Sequence, residues 1–244
     1  MAEPFERSAL VTGGAQGLGA AVARRLHADG FRVAIADLNV AAAEAVAAEL
    51  GETAVALEMD VSDAASITSA FERLVALWGA PDVLVNNAGK TVQRSVWDIT
   101  PEEWDDVLAT NLRSYFVLSR LVASAIRDRG WGRIVNMSSF AGQQGGLVAG
   151  AHYAASKAGA IVLTKILARE LAGDGITVNA VAPAAILTPA MGGLEQAESV
   201  GRSIPVGRVG TPEEVAEAVA YLVGPHSGYV TGTTLDVNGG VFMR

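Results

Sequence analysis

The sequence predicts an α/β fold: a Rossmann-type, doubly wound sheet of seven parallel strands flanked by helices, forming one domain over residues 1–244. Three observations predict it. Apolar runs of four to six residues alternate with longer segments of helical period, the pattern of a parallel sheet covered by helices. A Gly-rich turn at 13–19 joins the first apolar run to the first helical segment, as dinucleotide-binding folds require. No internal repeat, low-complexity tract or polar linker divides the chain.

Taken in order, Ser8-Ala9-Leu10-Val11-Thr12 reads as the first strand, and Leu18, Val22 and Leu26 recur at helical spacing until Gly30 ends the first helix. The second strand is read at 31–36, followed by a helix at 40–50, a strand at 53–58, a helix at 63–77 and a strand at 82–86. A long helix is expected at about 101–128. It starts at Thr100-Pro101 with Glu102, Glu103, Asp105 and Asp106, acids that favour a helix amino terminus. A strand at 133–137, a helix at 153–171, a strand at 176–181, a helix at 212–222 and a strand at 233–237 complete the count. Right-handed crossovers on both faces would put the site at the carboxyl ends of the strands. The one long irregular segment, about 184–210, is rich in Pro and Gly with a short amphipathic piece near 194–200, and is read as the substrate loop.

Composition narrows the function classes. Half of the 244 residues are apolar and 18% are charged, which excludes a disordered chain. Without cysteine there is no disulfide, thiolate nucleophile or sulfur-ligated metal, and none of the three histidines suggests a metal site. Eighteen basic against 26 acidic residues, a net charge of −8, argue against nucleic acid or an anionic membrane as partner. The uncharged stretches 134–156 and 175–194 are interrupted by polar residues, Gly and Pro, so neither reads as a membrane span. Glu3 and Glu6 stand where a secretory signal would be basic and then apolar, so a cytoplasmic location is expected.

The first turn reads Thr12-Gly13-Gly14-Ala15-Gln16-Gly17-Leu18-Gly19, glycines that let the backbone approach a pyrophosphate at a helix amino terminus. Alone it is compatible with a plain strand-to-helix connection. Asp37, 18 residues after Gly19, can accept hydrogen bonds from adenosine ribose hydroxyls and would repel a 2′-phosphate; no Lys or Arg follows at 38–40. NAD is therefore the expected cofactor.

The spacing T-G-x-x-x-G-x-G, Asn86-Asn87-Ala88-Gly89 after the fourth strand, Ser138-Ser139 after the fifth and Tyr153-Ala-Ala-Ser-Lys157 together resemble the short-chain dehydrogenase/reductase family, from Ser8 to Gly240. The resemblance implies a catalytic set of Asn111, Ser139, Tyr153 and Lys157. Tyr153 would exchange a proton with the substrate oxygen, Ser139 would orient that oxygen, and Asn111 would hold a proton-relay water, its plain alternative being to close a kink in the helix. Tyr153 and Lys157, four apart, share a helix face. A phenol ordinarily titrates near ~10, so work near neutral pH requires about 4 kcal/mol, the order supplied by an ammonium about 4 Å away at an effective dielectric of about 20.

By the same resemblance the cofactor would contact Gly13, Gln16, Gly17, Leu18 and Gly19, then Asp37 and Leu38, Asp60 and Val61, and Asn87, Ala88 and Gly89. Tyr153, Lys157, Pro183, Ala184, Ile186 and Thr188 would complete its site. Ala184 stands where the family has Gly and would be strained if that position needed φ > 0. The step from Ser139 to Tyr153 is one residue longer than usual, so the intervening loop is expected to bulge. Gln93, Gln143 and His152, with Lys90 and the segment 189–205, are candidate substrate contacts; packing is the alternative role for His152.

The leading reading is an NAD-dependent oxidoreductase interconverting a small-molecule secondary alcohol and its ketone. An alternative within the family is a 3-oxoacyl-carrier-protein reductase using NADPH. It would need a basic docking face, to which Arg127 and Arg129 could contribute but Gly173-Asp174 does not. A non-catalytic NAD-binding scaffold or sensor is the reading from another class, against which Tyr153 and Lys157 both weigh. A homotetramer is implied by the resemblance, paired through the helices at 101–128 and 153–171 and through the carboxyl-terminal strands and tail.

Overall fold

The structure, a computed structural model, describes residues 6–146, 149–188 and 191–243. Its strands are β1 (Ser8–Thr12), β2 (Arg32–Asp37), β3 (Ala54–Glu58), β4 (Val83–Asn86), β5 (Gly132–Met137), β6 (Ile176–Pro183) and β7 (Thr234–Val237). They form one parallel sheet in the order β3-β2-β1-β4-β5-β6-β7. The helices are α1 (Gly17–Ala28), α2 (Val40–Leu50), α3 (Ala64–Trp78), α4 (Pro101–Leu108), α5 (Ser114–Ile126), α6 (Phe140–Gln144), α7 (Ala151–Leu171), α8 (Leu194–Gly201) and α9 (Pro212–Val223). The expected seven-stranded doubly wound sheet is the one observed.

Each strand is apolar on both faces because both faces are covered. Ala9, Val11, Val33, Ile35, Val83 and Val85 point to one side, where they meet Val22 and Leu26 of α1 and Val215 and Val219 of α9. Their alternates Leu10, Ala34 and Leu84 point to the other, against Ile67 and Leu74 of α3 and Leu118 and Val122 of α5. The register aligns the strand ends: Thr12 faces Ala36, Asn86 faces Asn136 and Met137 faces Val181. The residues that follow each strand therefore meet at one carboxyl edge. Among the described residues no helix is long and apolar enough to cross a membrane.

Three departures from the expected elements bear on the site. The helix read at 101–128 is broken by a π-helical turn, Ala109–Arg113, which separates α4 from α5, and it ends in a 3-10 turn at Arg127–Arg129. Thr110 and Ser114 hydroxyls donate back to carbonyls four residues earlier, the local competition that disturbs a helix. Helix α7 starts at Ala151, before Tyr153, and the one-turn helix α6, capped by the Ser139 side chain accepting from the Ala141 N–H at 3.1 Å, has no apolar period to announce it. Strand β6 runs on to Pro183 because Pro183 pairs with Val237, and the Ala184 N–H donates to the Val237 carbonyl, so Ala184 continues the extended pairing.

The segment read as the substrate loop is closed at its base, where Ile186 bridges Gly210 and the Leu187 N–H donates to the Gly210 carbonyl at 2.8 Å. Its amphipathic piece is α8; Pro189 and Ala190 of that segment, like residues 147 and 148 of the loop expected to bulge, lie outside the described residues.

The tight first turn makes a direct prediction. A Cβ on Gly19 would lie 2.0 Å from the Gly13 carbonyl oxygen and 2.6 Å from the Asn87 amide nitrogen. Gly19→Ala is expected to lower the unfolding free energy by about 1–3 kcal/mol, read as a lower urea midpoint at unchanged m-value; a midpoint equal to that of the parent would refute the close packing of this turn.

Candidate active site

The groove at the carboxyl edge begins with the turn between β1 and α1. Gly13 and Gly17 have φ of +62° and +54°, a region that side chains disfavour. At Gly17 the space a Cβ would enter is open, its nearest neighbour being the Thr188 methyl group at 4.0 Å, so the turn and the substrate segment face each other. Helix α1 has no side-chain cap at Gln16 and no acid in its first turn. Its leading N–H groups and positive dipole end are left for an anion.

A second turn is locked to the first. The Thr12 hydroxyl accepts from the Asn87 and Ala88 N–H groups at 3.0 and 3.1 Å, while the Asn87 amide donates to the carbonyls of Thr12 and Gly13 at 2.9 and 3.0 Å. At the end of β2 the Asp37 carboxylate accepts from Ala15 N–H at 3.1 Å and Asn39 N–H at 3.0 Å, while Asn39, not Asp37, caps α2. Asp60 accepts from the Ser62 hydroxyl and N–H at 2.7 and 2.8 Å. These bonds, with a smaller contribution from the charge of Lys90, hold its carboxyl below the usual carboxylate range.

Together these turns wall a groove of about 410 Å3. Of the residues read from the sequence, Gly13, Gln16, Leu18, Gly19, Asp37, Leu38, Asp60, Val61, Asn87, Ala88, Gly89, Tyr153 and Lys157 line it. Gly17, Pro183, Ala184, Ile186 and Thr188 are not on this wall, and neither are Asn111 and Ser139. Lys90, read as a candidate substrate contact, also lines it, and the structure adds Met59, Thr91, Thr110, Met137 and Ser138. Met59 and Met137 follow or end a strand, and that position was their only sequence signal.

At the inner end of the groove stand Tyr153 and Lys157, on one face of α7. Lys157 is 3% exposed; its Nζ donates to the Met137 carbonyl at 2.6 Å and the Tyr115 hydroxyl at 3.0 Å, and lies 5.9 Å from the centre of the Tyr153 ring. Burial pulls the ammonium down from the usual lysine range to about 7. Burial likewise pushes the Tyr115 phenol up, so it stays protonated. Tyr115 was missed in the sequence, although it follows Asn111 by four residues.

The two serines after β5 differ. Ser138 is buried and donates its hydroxyl proton to the Lys157 carbonyl at 2.8 Å. Ser139 is half-buried and accepts from Ala141, which leaves its own proton for another acceptor. Asn111, in the π turn, accepts from the Lys90 N–H at 2.7 Å and donates to the Lys90 carbonyl at 2.9 Å and the Ser156 hydroxyl at 3.1 Å. Both of its amide protons are thus engaged within the protein.

The expected substrate contacts fare unevenly. His152 is fully buried: its Nδ1 accepts from the Tyr153 N–H at 2.9 Å, which puts its proton on Nε2, 3.2 Å from Glu103. With both ring nitrogens occupied, it packs rather than faces a substrate, and this corrects the first of its two expected roles. Gln143 donates to Asp236 at 2.6 Å, tying α6 to β7, and Gln93 is exposed. On the surface, Arg127 pairs with Asp174 at 2.8 Å and Arg129 with Asp82 at 2.9 Å.

A doubly wound parallel sheet with a glycine turn, a carboxylate at the end of β2 and a Tyr–Lys pair at its carboxyl edge defines a nicotinamide-dinucleotide oxidoreductase. Residues 13–242 match the profile of the family described as enoyl-(acyl carrier protein) reductase. The chain is 42% identical over 237 residues to the 3-oxoacyl-[acyl-carrier-protein] reductase of Escherichia coli (strain K12), covering 96% of this chain and 97% of that one. It is 42% identical over 243 residues to the acetoacetyl-CoA reductase of Rhizobium meliloti (strain 1021), covering 98% and 100%. The crystal structure of 3-ketoacyl-(acyl-carrier-protein) reductase from Brucella melitensis complexed with NADH superposes with a TM-score of 0.92 at 34% identity, over 97% of this chain and 98% of that one. The chain belongs to the short-chain dehydrogenase/reductase family and is an oxidoreductase of CH–OH and keto groups, which sets aside the scaffold reading.

The buried lysine has a consequence for stability. Between about pH 7 and its ordinary value of 10.5, Lys157 is protonated in the unfolded chain and neutral in the folded one. The unfolded state binds more protons over that window, so this group makes stability rise with pH. Urea unfolding of the cofactor-free protein at pH 7 and pH 10 is expected to show that gain, reduced in Lys157→Met; an identical pH dependence in the variant would refute it.

Proposed function

We propose that this protein reduces the 3-oxo group of an acyl thioester with NADH, and oxidises the corresponding 3-hydroxyacyl thioester with NAD in reverse. The observation that carries the reading is the placing of Tyr153 and Lys157 at the inner end of the groove that the glycine turn opens. The relatives' names, 3-oxoacyl-[acyl-carrier-protein] reductase and acetoacetyl-CoA reductase, support the 3-oxoacyl reductase alternative over a generic small-molecule alcohol or ketone.

NADH, when bound, supplies the hydride. The open amino terminus of α1 and the Gly17 backbone would hold its pyrophosphate, and the Asp37 carboxylate, already fixed by two backbone N–H groups, would accept from its adenosine ribose. A 2′-phosphate there would meet a like charge, which favours NADH, and the Brucella melitensis reductase is likewise complexed with NADH. Ile186 and Thr188 would serve the nicotinamide end from the substrate segment.

Ser139 donates its unengaged proton to the substrate carbonyl, holding it for protonation by Tyr153 as charge develops on the oxygen. Lys157 favours the phenolate that results and offers its remaining N–H to the ribose. Asn111 fixes the Lys90 backbone on the groove wall; any relay water would rest on groups other than its amide protons.

Of the two thioester carriers, coenzyme A fits better than an acidic carrier protein, since Arg127 and Arg129 are each neutralised by a carboxylate on an already acidic chain. We also propose assembly as a homotetramer. The face formed by α5 and α7 leaves Phe116, Val162 and Ile166 exposed beside Leu112 and Leu163, and Gly159 lets α7 approach the π turn.

Turnover of acetoacetyl-CoA with NADH should exceed that with NADPH and that of the carrier-protein thioester, and Tyr153→Phe should lower it by about 10²–10⁴-fold. Parent-level turnover in that variant, or none in the parent, would overturn the assignment. Light scattering is expected to give the tetramer mass, reduced by Ile166→Asp.

A further inference from the structure

Tyr115 has no part in the chemistry above, yet its hydroxyl accepts a hydrogen bond from Lys157 Nζ. It is 1% exposed, and its hydroxyl lies 3.0 Å from Lys157 Nζ, 3.2 Å from the Met137 carbonyl and 3.3 Å from the Ala88 carbonyl. Its ring centre is 5.1 Å from the same ammonium. The hydroxyl has one proton, which goes to one of the two carbonyls, and a lone pair, which receives Lys157. It joins α5, the end of β5, the turn after β4 and α7 at one oxygen.

The donor count of the ammonium gives this contact its meaning. Of three N–H bonds, one goes to Met137 and one to Tyr115, leaving one for the groove. The other groups facing Nζ are Tyr153 from the preceding turn of α7 and, from the turn after β4, Gly89, where a Cβ would lie 3.5 Å away. Among the described residues no carboxylate bonds it. We infer that Tyr115 is a positioning residue for Lys157: its hydroxyl and ring hold the ammonium against the end of β5, so that a single N–H faces the groove beside Tyr153.

Without that hydroxyl the buried ammonium keeps one oxygen partner, and its charged form becomes harder to maintain. A hydrogen bond to a charged group corresponds to a shift of about one unit or more, a roughly tenfold loss of ammonium above the midpoint. The inference rests on the proposed role of Lys157 for its catalytic meaning, but its test does not need turnover.

The chain has three lysines, Lys90, Lys157 and Lys165. With carbon-13 at lysine Cε, all three can be followed by NMR in the cofactor-free protein from about pH 5 to about pH 11, and assigned with Lys90→Arg and Lys165→Arg. Lys157 is expected to titrate near pH 7 in the parent and about one unit lower in Tyr115→Phe, with the other two unmoved. The fall of kcat at rising pH should shift in the same direction, with KM unchanged. An unshifted Lys157 midpoint in folded Tyr115→Phe overturns the inference. If that variant does not fold, Tyr115→Leu, which also lacks the hydroxyl, is measured in its place with the same two outcomes. Absence of thioester turnover would instead count against the proposed function alone.

Discussion

A cation carried into the apolar edge of a parallel sheet has to find oxygen there, and much of this site is arranged around that requirement. Lys157 gets a strand-end carbonyl and a phenol, both buried. The carbonyl is free because β5 ends at Met137, and the phenol arrives because the π turn sets the phase of α5. Gly142 completes the arrangement: a Cβ there would lie 2.5 Å from the Lys157 carbonyl carbon, so α6, and Ser139 at its start, can lie directly on α7. The desolvation that lowers the lysine is the same burial that keeps Tyr115 protonated, so one cavity wall sets the proton state of both.

The opposite end of the groove follows a different rule, in which side chains fix the backbone of the turns. Thr12 and Asn87 hold two turns from neighbouring strands together through four hydrogen bonds. Asp37 is likewise preset by Ala15 and Asn39 before any ribose arrives. Such preorganisation lowers the ordering that a ligand must induce.

The fold was legible because every strand had to be apolar on both faces, and the cofactor wall because glycine turns and Asp37 stand at strand ends. What escaped was what depends on contact rather than pattern. Nothing in the run Ser114-Tyr115-Phe116 says which aromatic turns inward, and Met137 acts through a carbonyl that every residue has. His152 looked ambiguous beside Tyr153 because its partner, Glu103, is 49 residues away and read as one of the acids that favour a helix amino terminus. The break in the 101–128 helix was legible only as one alternative at Asn111, because its partner is the main chain of Lys90, across a loop with no regular period.

Glu103 joins the exposed segment after β4 to the start of α7. One of its oxygens receives both Arg94, from the segment after β4, and His152, whose other nitrogen takes the backbone N–H of Tyr153. The carboxylate is therefore a shared mechanical anchor, with a surface arginine on one side and the amino-terminal turn of α7 on the other. Substitution of the exposed Arg94 would leave Glu103 to His152 alone. The exposed segment after β4 is in this way tied to the Tyr153 peptide unit through three side chains.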